Sequence, residues 1–523
     1  MAQATLTRVD SGYRSLNQTS TPEEDKMPVE APDYPGPSNE RVTPFLIYLL
    51  FFATLGPLQF GYHLGELNAP ESVIRCEVRR LPTYGVLGLP QCIHMSNAQW
   101  GMIQSLFTIG GLIGALFSGP IATKWGRLFA LRLLTFFLAG GPIAEALAGR
   151  IWVLALGRAI SGVGAGAATV VAPIYISEIS PNDKRGLFGA FTQVQINFGI
   201  VVAQLLGYFL SKDSKWRWIL ATAGFVAAFT FFGLLFANES PTWLASKNQP
   251  RAARTVLQRL RGRDADIRAE VDTWHISGAG EQEPLLGHKN PAGTTEDHLQ
   301  TKSFLDVVRI HKYRRAVVAV SAAMVAQQLT GINAVIMYSV SILGDVMPHK
   351  AALVTIIVSA ANVAVTLLFS PLPDKVGRRK TLLASIMGMG IASCLLADGL
   401  SRNQRPLTIV GVALFVCSFG LGLGPVPFIL ASELVGPEAV GATSSWALAL
   451  NWLSTFLVAQ FVPILNAQLP RGHLFWIFAG ISAFFYLLVA FLVPESKGMA
   501  NADQVWSNHR GGFVGGIFRS VRR

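Results

Sequence analysis

Residues 45–64 read FLIYLLFFATLGPLQFGYHL, a run of twenty residues without Asp, Glu, Lys or Arg. Eighteen or more apolar residues are enough for an α-helix to cross the hydrocarbon layer of a bilayer, which is about 30 Å thick. A helix is expected because the bilayer offers backbone polar groups no water to bond. Similar runs recur along the chain. The sequence therefore predicts an all-α membrane protein.

The apolar runs predict twelve transmembrane helices in a chain of 523 residues. We place spans 1 to 12 at 44–66, 97–119, 128–148, 150–176, 187–211, 216–237, 315–343, 350–372, 379–400, 406–432, 440–467 and 473–493. The net charge of +12 does not indicate nucleic acid binding, because the basic residues lie in short loops between apolar runs. Such loops are typical of the cytosolic side of membrane proteins. An even number of spans then places both termini in the cytosol.

The chain contains a low-resolution internal repeat. The stretches GPIATKWGR at 119–127 and SPLPDKVGRR at 370–379 are separated by almost the same number of residues as Glu178 and Glu433. Two similar offsets indicate duplicated six-helix halves, which typify carriers that rock about a site at the midplane. The predicted domains are a disordered cytosolic tail (1–43), an N-terminal half (44–239), a cytosolic linker that is partly helical and partly disordered (240–312), a C-terminal half (313–495) and a basic cytosolic tail (496–523).

The four cysteines divide into two pairs. Cys76 and Cys92 both follow span 1 on the non-cytosolic side, where a disulfide can form; two free thiols fit the sequence equally well. Cys394 and Cys417 fall within apolar spans and are interpreted as packing residues. The sequence shows no nucleophile–base set and no cluster of metal ligands, so we expect neither an enzyme nor a cofactor.

Eight motifs, in order, resemble the sugar porter family of the major facilitator superfamily, in particular facilitative glucose transporters and fungal hexose transporters. They cover roughly residues 44–498: FGYHLGELNAP at 60–70, RAISGVGAG at 158–166, PIYISEISPNDKRG at 173–186, NESPTWL at 238–244, QQLTGIN at 327–333, DKVGRRK at 374–380, GLGPVPFILASE at 422–433 and PESKG at 494–498. The resemblance implies alternating-access transport of a glucose-like hexose, by facilitated diffusion.

A sugar site needs side chains that both donate and accept hydrogen bonds, and aromatic rings against which the sugar can stack. Amides inside apolar helices supply such groups, although amides also bond helices to one another. The resemblance implies sugar contacts at Gln193, Gln327, Gln328, Asn333, Asn362, Phe428 and Asn451. Ile196 and Ile200 share the helix face of Gln193, so they are candidates for the same pocket, with ordinary packing as the alternative. Phe428 stands where glucose carriers have Trp, so the preferred hexose stays open.

Helix-breaking residues interrupt spans 7 and 10, where Pro removes a backbone donor and Gly adds backbone freedom. They are Gly331, Gly424, Pro425 and Pro427. Such breaks are tolerated in a membrane beside cavities. Both a gating role and a static kink are consistent with them.

Charged residues at the cytosolic helix ends match those that link the two halves in outward-facing family members. They are Arg127, Glu178, Arg185, Glu239, Arg378, Arg379 and Glu433. Charges that only set membrane topology are the alternative. Three residues depart from the pattern: Thr123 replaces an acid, Leu128 replaces an Arg, and Val440 stands where an Arg is expected after Glu433. The resemblance therefore implies a lock that is weaker or rewired.

His63 occupies a position that holds Asp in proton-coupled members and Asn in passive ones. The Asp of the proton-coupled members pairs with the Arg that matches Arg158. Histidine titrates near neutral pH, and Glu66 lies one turn later as a second candidate acid. A proton-coupled cycle and a neutral, hydrogen-bonded histidine both remain open.

The linker contains EQEPLL at 281–286, in which Glu281, Leu285 and Leu286 resemble an acidic dileucine sorting signal. It favours sorting adaptors as partners and a vacuolar or lysosome-like membrane, with the plasma membrane as the alternative. The other expected partners are a sugar and the lipid bilayer. A proton-coupled sugar or polyol porter and a non-transporting sugar sensor remain alternative functions, and the sequence leaves the oligomeric state open.

Overall fold

The computed structural model describes residues 42–77, 88–181, 184–268, 270–272, 274, 306–344, 346–347, 350–436, 439–499 and 502–509. In these ranges, twelve helices are long and apolar enough to cross a bilayer, which confirms the predicted number of spans. Spans 1 to 12 are Pro44–Gly65, Asn97–Trp125, Arg127–Ala146, Ile151–Ile179, Phe191–Leu210, Trp216–Leu235, Tyr313–Gly344, Ala351–Phe369, Arg378–Ser401, Arg405–Glu433, Val440–Gln468 and His473–Leu492.

The observed bounds differ from the predicted ones mainly where a helix continues past the apolar run. Span 2 extends to Trp125 although its apolar run ends near residue 119, and the helix of span 5 begins at Arg185. The extensions contain Lys124 and Arg185, and a charged residue ends an apolar run before the helix itself ends. Spans 9 and 10 have the least distinct boundary in the sequence; the helix of span 9 ends at Ser401 and that of span 10 begins at Arg405.

An amphipathic helix in the linker, Pro250–Arg261, packs on the N-terminal half. Its apolar side is buried, and the guanidinium of Arg261 donates to the carbonyls of Ile179 (2.8 Å) and Ser180 (3.0 Å). Thr43 Oγ1, just before span 1, donates to the carbonyl of Leu260 at 2.9 Å. We call the side of the molecule that carries this helix the linker face, and the side that carries the loop after span 1 the opposite face.

The internal repeat predicted from the sequence recurs at the linker face. In each half, a glycine with positive φ ends one helix, and the arginine that follows it binds a glutamate at the end of a later span. The two sets are Gly126 (φ 109°), Arg127 and Glu178, and Gly377 (φ 114°), Arg378 and Glu433. The closest N–O distance is 2.8 Å in both arginine–glutamate pairs. Positive φ favours glycine at both positions.

Spans 2 and 4 pack with their backbones in contact. A Cβ atom added at Gly110 or Gly114 would overlap the backbone of span 4, and one added at Gly162 or Gly166 would overlap the backbone of span 2. Small residues allow such close approach of membrane helices. Gly162 and Gly166 of the RAISGVGAG motif are therefore packing residues of the N-terminal half.

Cys76 and Cys92 form a disulfide in the loop after span 1, which decides between the two alternatives that the sequence left open. Glu71 lies in the same loop and accepts a hydrogen bond from Arg75 Nη1 at 2.8 Å. Burial raises the pKa of the Glu71 carboxyl to about 7, and the neighbouring Arg75 opposes this shift. The part of this loop that the structure describes is thus buried at Glu71, Cys76 and Cys92.

Asn68, just after span 1, joins the two halves at the opposite face. Its Nδ2 donates to the carbonyl of Ile336 (2.8 Å) and to Ser339 Oγ (2.9 Å), and its Oδ1 accepts from the N–H of Val340 (3.0 Å). An α-helix pairs the N–H of one residue with the carbonyl four residues earlier, so Asn68 bonds to both members of such a pair in span 7. This residue of the N-terminal half therefore bonds directly to the backbone of the C-terminal half.

Spans 2 and 11 form a second contact between the halves. Ser105 Oγ donates to Gln460 Oε1 at 2.9 Å. The ring of Trp452 lies so close to Gly111 that an added Cβ atom would overlap it. Together with Asn68, these contacts close the seam between the halves towards the opposite face.

We expect Gly111→Ala to disfavour the state in which the opposite face is closed, because its methyl group would occupy the space of the Trp452 ring. Overpacking of this kind costs about 1–3 kcal/mol, so the closed population should fall by about tenfold relative to the open one. The measurement is the rate at which a cysteine introduced at the buried position Ser105 reacts with a thiol reagent. Gly119→Ala, on the same helix but facing open space, is the matched control. Equal rates in the two variants would contradict the prediction.

Candidate functional site

Four predicted amides of the C-terminal half form one hydrogen-bonded cluster. Gln328 Nε2 donates to Gln327 Oε1 (3.2 Å) and to Asn451 Oδ1 (3.1 Å), while Asn333 Nδ2 donates to Gln328 Oε1 at 2.6 Å. Asn451 Nδ2 donates to Gln327 Oε1 at 2.6 Å. All four side chains are buried. Spans 7 and 11 thus hold these amides in one hydrogen-bonded arrangement.

The two predicted helix breaks explain part of this arrangement. Gly331, with φ of 100°, separates the two helical segments of span 7, so Gln327 and Asn333 lie on either side of the break. In span 10, a π-helical turn at Phe419–Leu423 and a turn at Gly424-Pro425 precede the next helical segment, which contains Pro427. Gln327 Nε2 donates to the carbonyls of Leu423 and Gly424, both at 2.8 Å. The broken backbone of one span is therefore satisfied by a site residue of another.

In the N-terminal half, Gln193 is half-buried, and its Nε2 donates to Asn197 Oδ1 at 3.3 Å. Asn197 Nδ2 in turn donates to Thr366 Oγ1 of span 8 at 2.9 Å, which crosses the seam between the halves. Asn197 was not predicted from the sequence. Its position four residues after Gln193, on the same helix face, was the signal that could have identified it.

A narrow cavity of about 20 Å³, room for roughly one water molecule, lies beside these residues. Predicted Ile200 and Asn362 line it, together with Gln204, which was also not predicted. Among the described residues, Asn362 Oδ1 and Gln204 Oε1 find no hydrogen-bond partner. Ile196 is half-buried on the same helix. Ile200, Asn362 and Gln204 therefore line one cavity beside the seam, next to the Asn197–Thr366 contact.

Aromatic rings of the kind that can stack against a sugar occur at two places. Phe428 of span 10 is 44% exposed, so its ring is open to a ligand or to lipid. The rings of Phe60, Phe107 and Trp452 cluster across the seam: the centroid of Trp452 lies 5.5 Å from that of Phe60 and 6.2 Å from that of Phe107. This second cluster was not predicted from the sequence.

The three residues singled out for proton coupling, His63, Glu66 and Arg158, meet in one fully buried cluster. Arg158 Nη1 binds Glu66 Oε1 at 2.6 Å, and His63 Nδ1 lies 2.8 Å from the same oxygen. Arg158 Nη2 also donates to Gln104 Oε1 at 3.1 Å. The guanidinium stacks on Phe107, with its carbon 4.6 Å from the ring centroid, a favourable cation–π contact.

Glu145 of span 3 belongs to the same cluster and was missed in the sequence. Its Oε1 accepts from Ser161 Oγ at 2.6 Å, and its Oε2 lies 4.0 Å from Arg158 Nη1. Glu145 is completely buried. A carboxyl inside an otherwise apolar span is itself a marker of function, and this is the signal in the sequence that could have identified Glu145.

The charges predicted to form the gate lie at the linker face, where Arg127 binds Glu178 and Arg378 binds Glu433, each within its own half. The other predicted residues have different surroundings. Glu239 Oε1 accepts from the backbone N–H groups of Arg127 (3.0 Å) and Leu128 (3.1 Å). Burial raises the pKa of its carboxyl, and these backbone donors oppose the shift. Arg379 donates to the carbonyl of Ala490 at 2.6 Å.

Several sequence predictions lie outside the described residues. The side chain of Arg185 is among them, as are Glu281, Leu285 and Leu286 of the dileucine sequence. Their roles stay predictions.

Comparisons with known proteins agree with this architecture. The family model described as "Sugar (and other) transporter" matches residues 49–505. The chain belongs to this family of sugar porters. It is 33% identical over 478 residues to a probable metabolite transport protein of Saccharomyces cerevisiae, covering 90% of this chain and 96% of that relative. It is 30% identical over 478 residues to the facilitated glucose transporter member 14 of solute carrier family 2 from Homo sapiens, covering 89% and 88%.

The fold of this sugar porter matches that of the xylose transporter XylE from E. coli in its inward open conformation. The TM-score is 0.71 at 22% sequence identity, and the match covers 89% of this chain and 100% of XylE. At this identity the match shows the fold alone, and it confirms the predicted major facilitator fold. The family is one of transporters, so the expectation that the protein is not an enzyme is confirmed.

Gln193 is the most suitable residue for testing sugar binding, because it is half-buried and its one described hydrogen bond, to Asn197, is long. We expect Gln193→Ala to weaken sugar binding by about tenfold, since one lost hydrogen bond is worth about 1 kcal/mol or slightly more, and to leave the thermal midpoint unchanged. Equilibrium binding of labelled glucose to purified protein measures the loss. Gln195→Ala is the matched control. Gln195 lies on the same helix as Gln193, but its Nε2 donates to Thr54 of span 1 at 3.3 Å and not to Asn197. Equal affinities in the two variants would remove Gln193 from the site.

Proposed function

We propose that this sugar porter carries a hexose-like monosaccharide across a membrane by alternating access, with facilitated diffusion as its mode. The observation that carries the proposal is a set of buried and half-buried amides on both sides of a seam that is closed towards the opposite face. Gln193 and Asn197 belong to one half, and the cluster around Gln327 belongs to the other. Amides suit a neutral, hydroxyl-rich substrate because they donate and accept hydrogen bonds. The glucose transporter among the relatives supports the same substrate class.

We assign the linker face to the cytosol. The basic residues near the ends of the spans favour this orientation, and the Cys76–Cys92 disulfide lies on the other side, where oxidation is expected. With this orientation Asn68, Ser105 and Trp452 close the non-cytosolic end of the seam, as in an inward-facing or occluded state, and both termini are cytosolic.

The arginine–glutamate pairs within each half suit such a state. Glu178 and Glu433 would take partners from the other half when the carrier faces outward. Val440 offers Glu178 no cation, so we expect an outward-facing lock that is weaker than in carriers with an arginine there. The breaks at Gly331 and Gly424 are proposed hinges for spans 7 and 10, because a few residues at element ends can absorb the change in backbone angles.

A proton-coupled sugar porter is the second candidate function. The buried cluster of His63, Glu66 and Arg158 favours it, because ionisable groups in the membrane interior are costly and usually serve transport. Coupling would make the sugar gradient follow the proton gradient.

Counterflow of labelled glucose in proteoliposomes, with and without an imposed pH gradient, separates the two candidates. We expect exchange without a gradient and no net accumulation with one. Accumulation driven by the pH gradient would replace facilitated diffusion with proton coupling. Absence of exchange with glucose, fructose, galactose and inositol would overturn sugar transport and favour a sensor.

We also propose that the dileucine sequence directs the protein to a vacuolar or lysosome-like membrane through sorting adaptors. Leu285→Ala combined with Leu286→Ala should then move a fluorescent fusion to the plasma membrane. Leu299→Ala is the control, because Leu299 belongs to the same linker but lies outside the dileucine sequence, and it should leave the location unchanged. An unchanged location of the double variant would retire the proposal.

A further inference from the structure

The buried cluster in spans 1 to 4 has an uneven charge. It contains one guanidinium, Arg158, two carboxyl groups, Glu66 and Glu145, and the imidazole of His63, all with no solvent exposure. If both carboxyl groups are ionised and the histidine is neutral, the cluster carries one net negative charge. An uncompensated buried charge is strongly destabilising. Binding of one proton to the cluster neutralises this net negative charge.

The geometry indicates which groups compete for this proton. Glu66 Oε1 lies 2.6 Å from Arg158 Nη1 and 2.8 Å from His63 Nδ1, which are the contacts of an ionised carboxylate. Glu145 is held less well: Ser161 donates to one oxygen, and the other lies 4.0 Å from Arg158. Within the described residues that second oxygen has no hydrogen-bond partner, and neither have His63 Nε2 and Glu66 Oε2. Glu66 differs from Glu145 in that its other oxygen contacts both Arg158 and His63. Glu145 and His63 are therefore the two places for the proton.

Other charged and titratable groups around the cluster are already engaged. Tyr62 donates to the carbonyl of Ile219 at 2.6 Å. Arg217 of span 6 binds the carbonyls of Ala146 and Ala148 beside Glu145, both at 2.7 Å. Span 2 contributes the neutral amide of Gln104.

Access to the cluster depends on the C-terminal half. The ring of Phe107 lies 5.7 Å from the ring of His63 and stacks on Arg158, and the same ring contacts Trp452. Trp452 belongs to span 11, so its contact with Phe107 exists only while the seam is closed towards the opposite face. Opening of that face would remove Trp452 and bring water to Phe107 and His63.

We propose that Glu145 binds one exchangeable proton, shared with His63, and that the Phe107–Trp452 contact seals this proton in the cluster while the opposite face is closed. Binding converts the Glu145 carboxylate to the carboxylic acid, and the charge of the cluster rises from minus one to zero. The proposal deepens the proton-coupled candidate function, on which its role in transport rests. The site would exchange its proton with the opposite face when span 11 moves away.

Infrared difference spectroscopy of the full-length protein in liposomes tests the site itself. We expect a carbonyl band of a protonated carboxylic acid that disappears when the buffer is changed from acidic to alkaline. Glu145→Gln should abolish that band. Glu71→Gln is the companion variant, because burial also raises the pKa of Glu71 to about 7 and gives this carboxyl a pH-dependent band of its own. We expect Glu71→Gln to remove that band and to leave the Glu145 band in place. A difference spectrum that Glu145→Gln leaves unchanged would overturn the proposal, as would the absence of any pH-dependent band in the unmodified protein.

Two further measurements keep the test decisive. If Glu145→Gln does not fold, Ser161→Ala should shift the frequency of the band by removing the hydrogen bond to Glu145, and an unshifted band would contradict the assignment.

Trp452→Ala should speed the loss of the band after a change of pH by at least about tenfold, and an unchanged rate would reject the seal. Glucose exchange without such a band would leave sugar transport standing and remove the proton site; the band without any sugar exchange would do the reverse.

Discussion

The rest of the structure depends on the constraint that a bilayer supplies no hydrogen bonds to the backbone. Helices satisfy it along most of each span, and where a helix breaks, a side chain from elsewhere must replace the missing partner. Gln327 does so for the carbonyls of Leu423 and Gly424. Asn68 also bonds backbone groups, those of Ile336 and Val340 across the seam, although the helix is continuous there. The break in span 10 is thus held by Gln327, a member of the buried amide cluster.

The same constraint makes the seam between the halves a polar surface with two uses. In the closed state its amides and hydroxyls bond to one another, as Asn197 does to Thr366. When the seam opens, those groups lose their partners and need replacements, which water or sugar hydroxyls can supply. Interhelical adhesion and substrate binding are therefore not exclusive interpretations of a buried amide. They describe the same side chain in two states of the carrier.

The charged residues at the linker face and those in the buried cluster differ in their access to water. Arg127 and Arg378 each have a carboxylate partner near the membrane surface, where exchange of partners costs little because water remains near. Arg158 lies with two carboxyl groups in a region without solvent exposure. There every change of charge is expensive, which is why we propose a bound proton for this cluster and none for the pairs at the linker face.

The sequence by itself determined the twelve spans, the repeated halves and the family, because apolar run length, motif order and helix-breaking residues are local properties of the chain. It also identified Gln327, His63 and the breaks at Gly331 and Gly424 as unusual residues inside the membrane. Only the tertiary structure decided that the Cys76–Cys92 disulfide forms, that Glu145 joins His63 and Arg158, and that Trp452 packs against Gly111. These depend on distances between helices that are far apart in sequence, and hydropathy contains no information about which face of a span meets which neighbour.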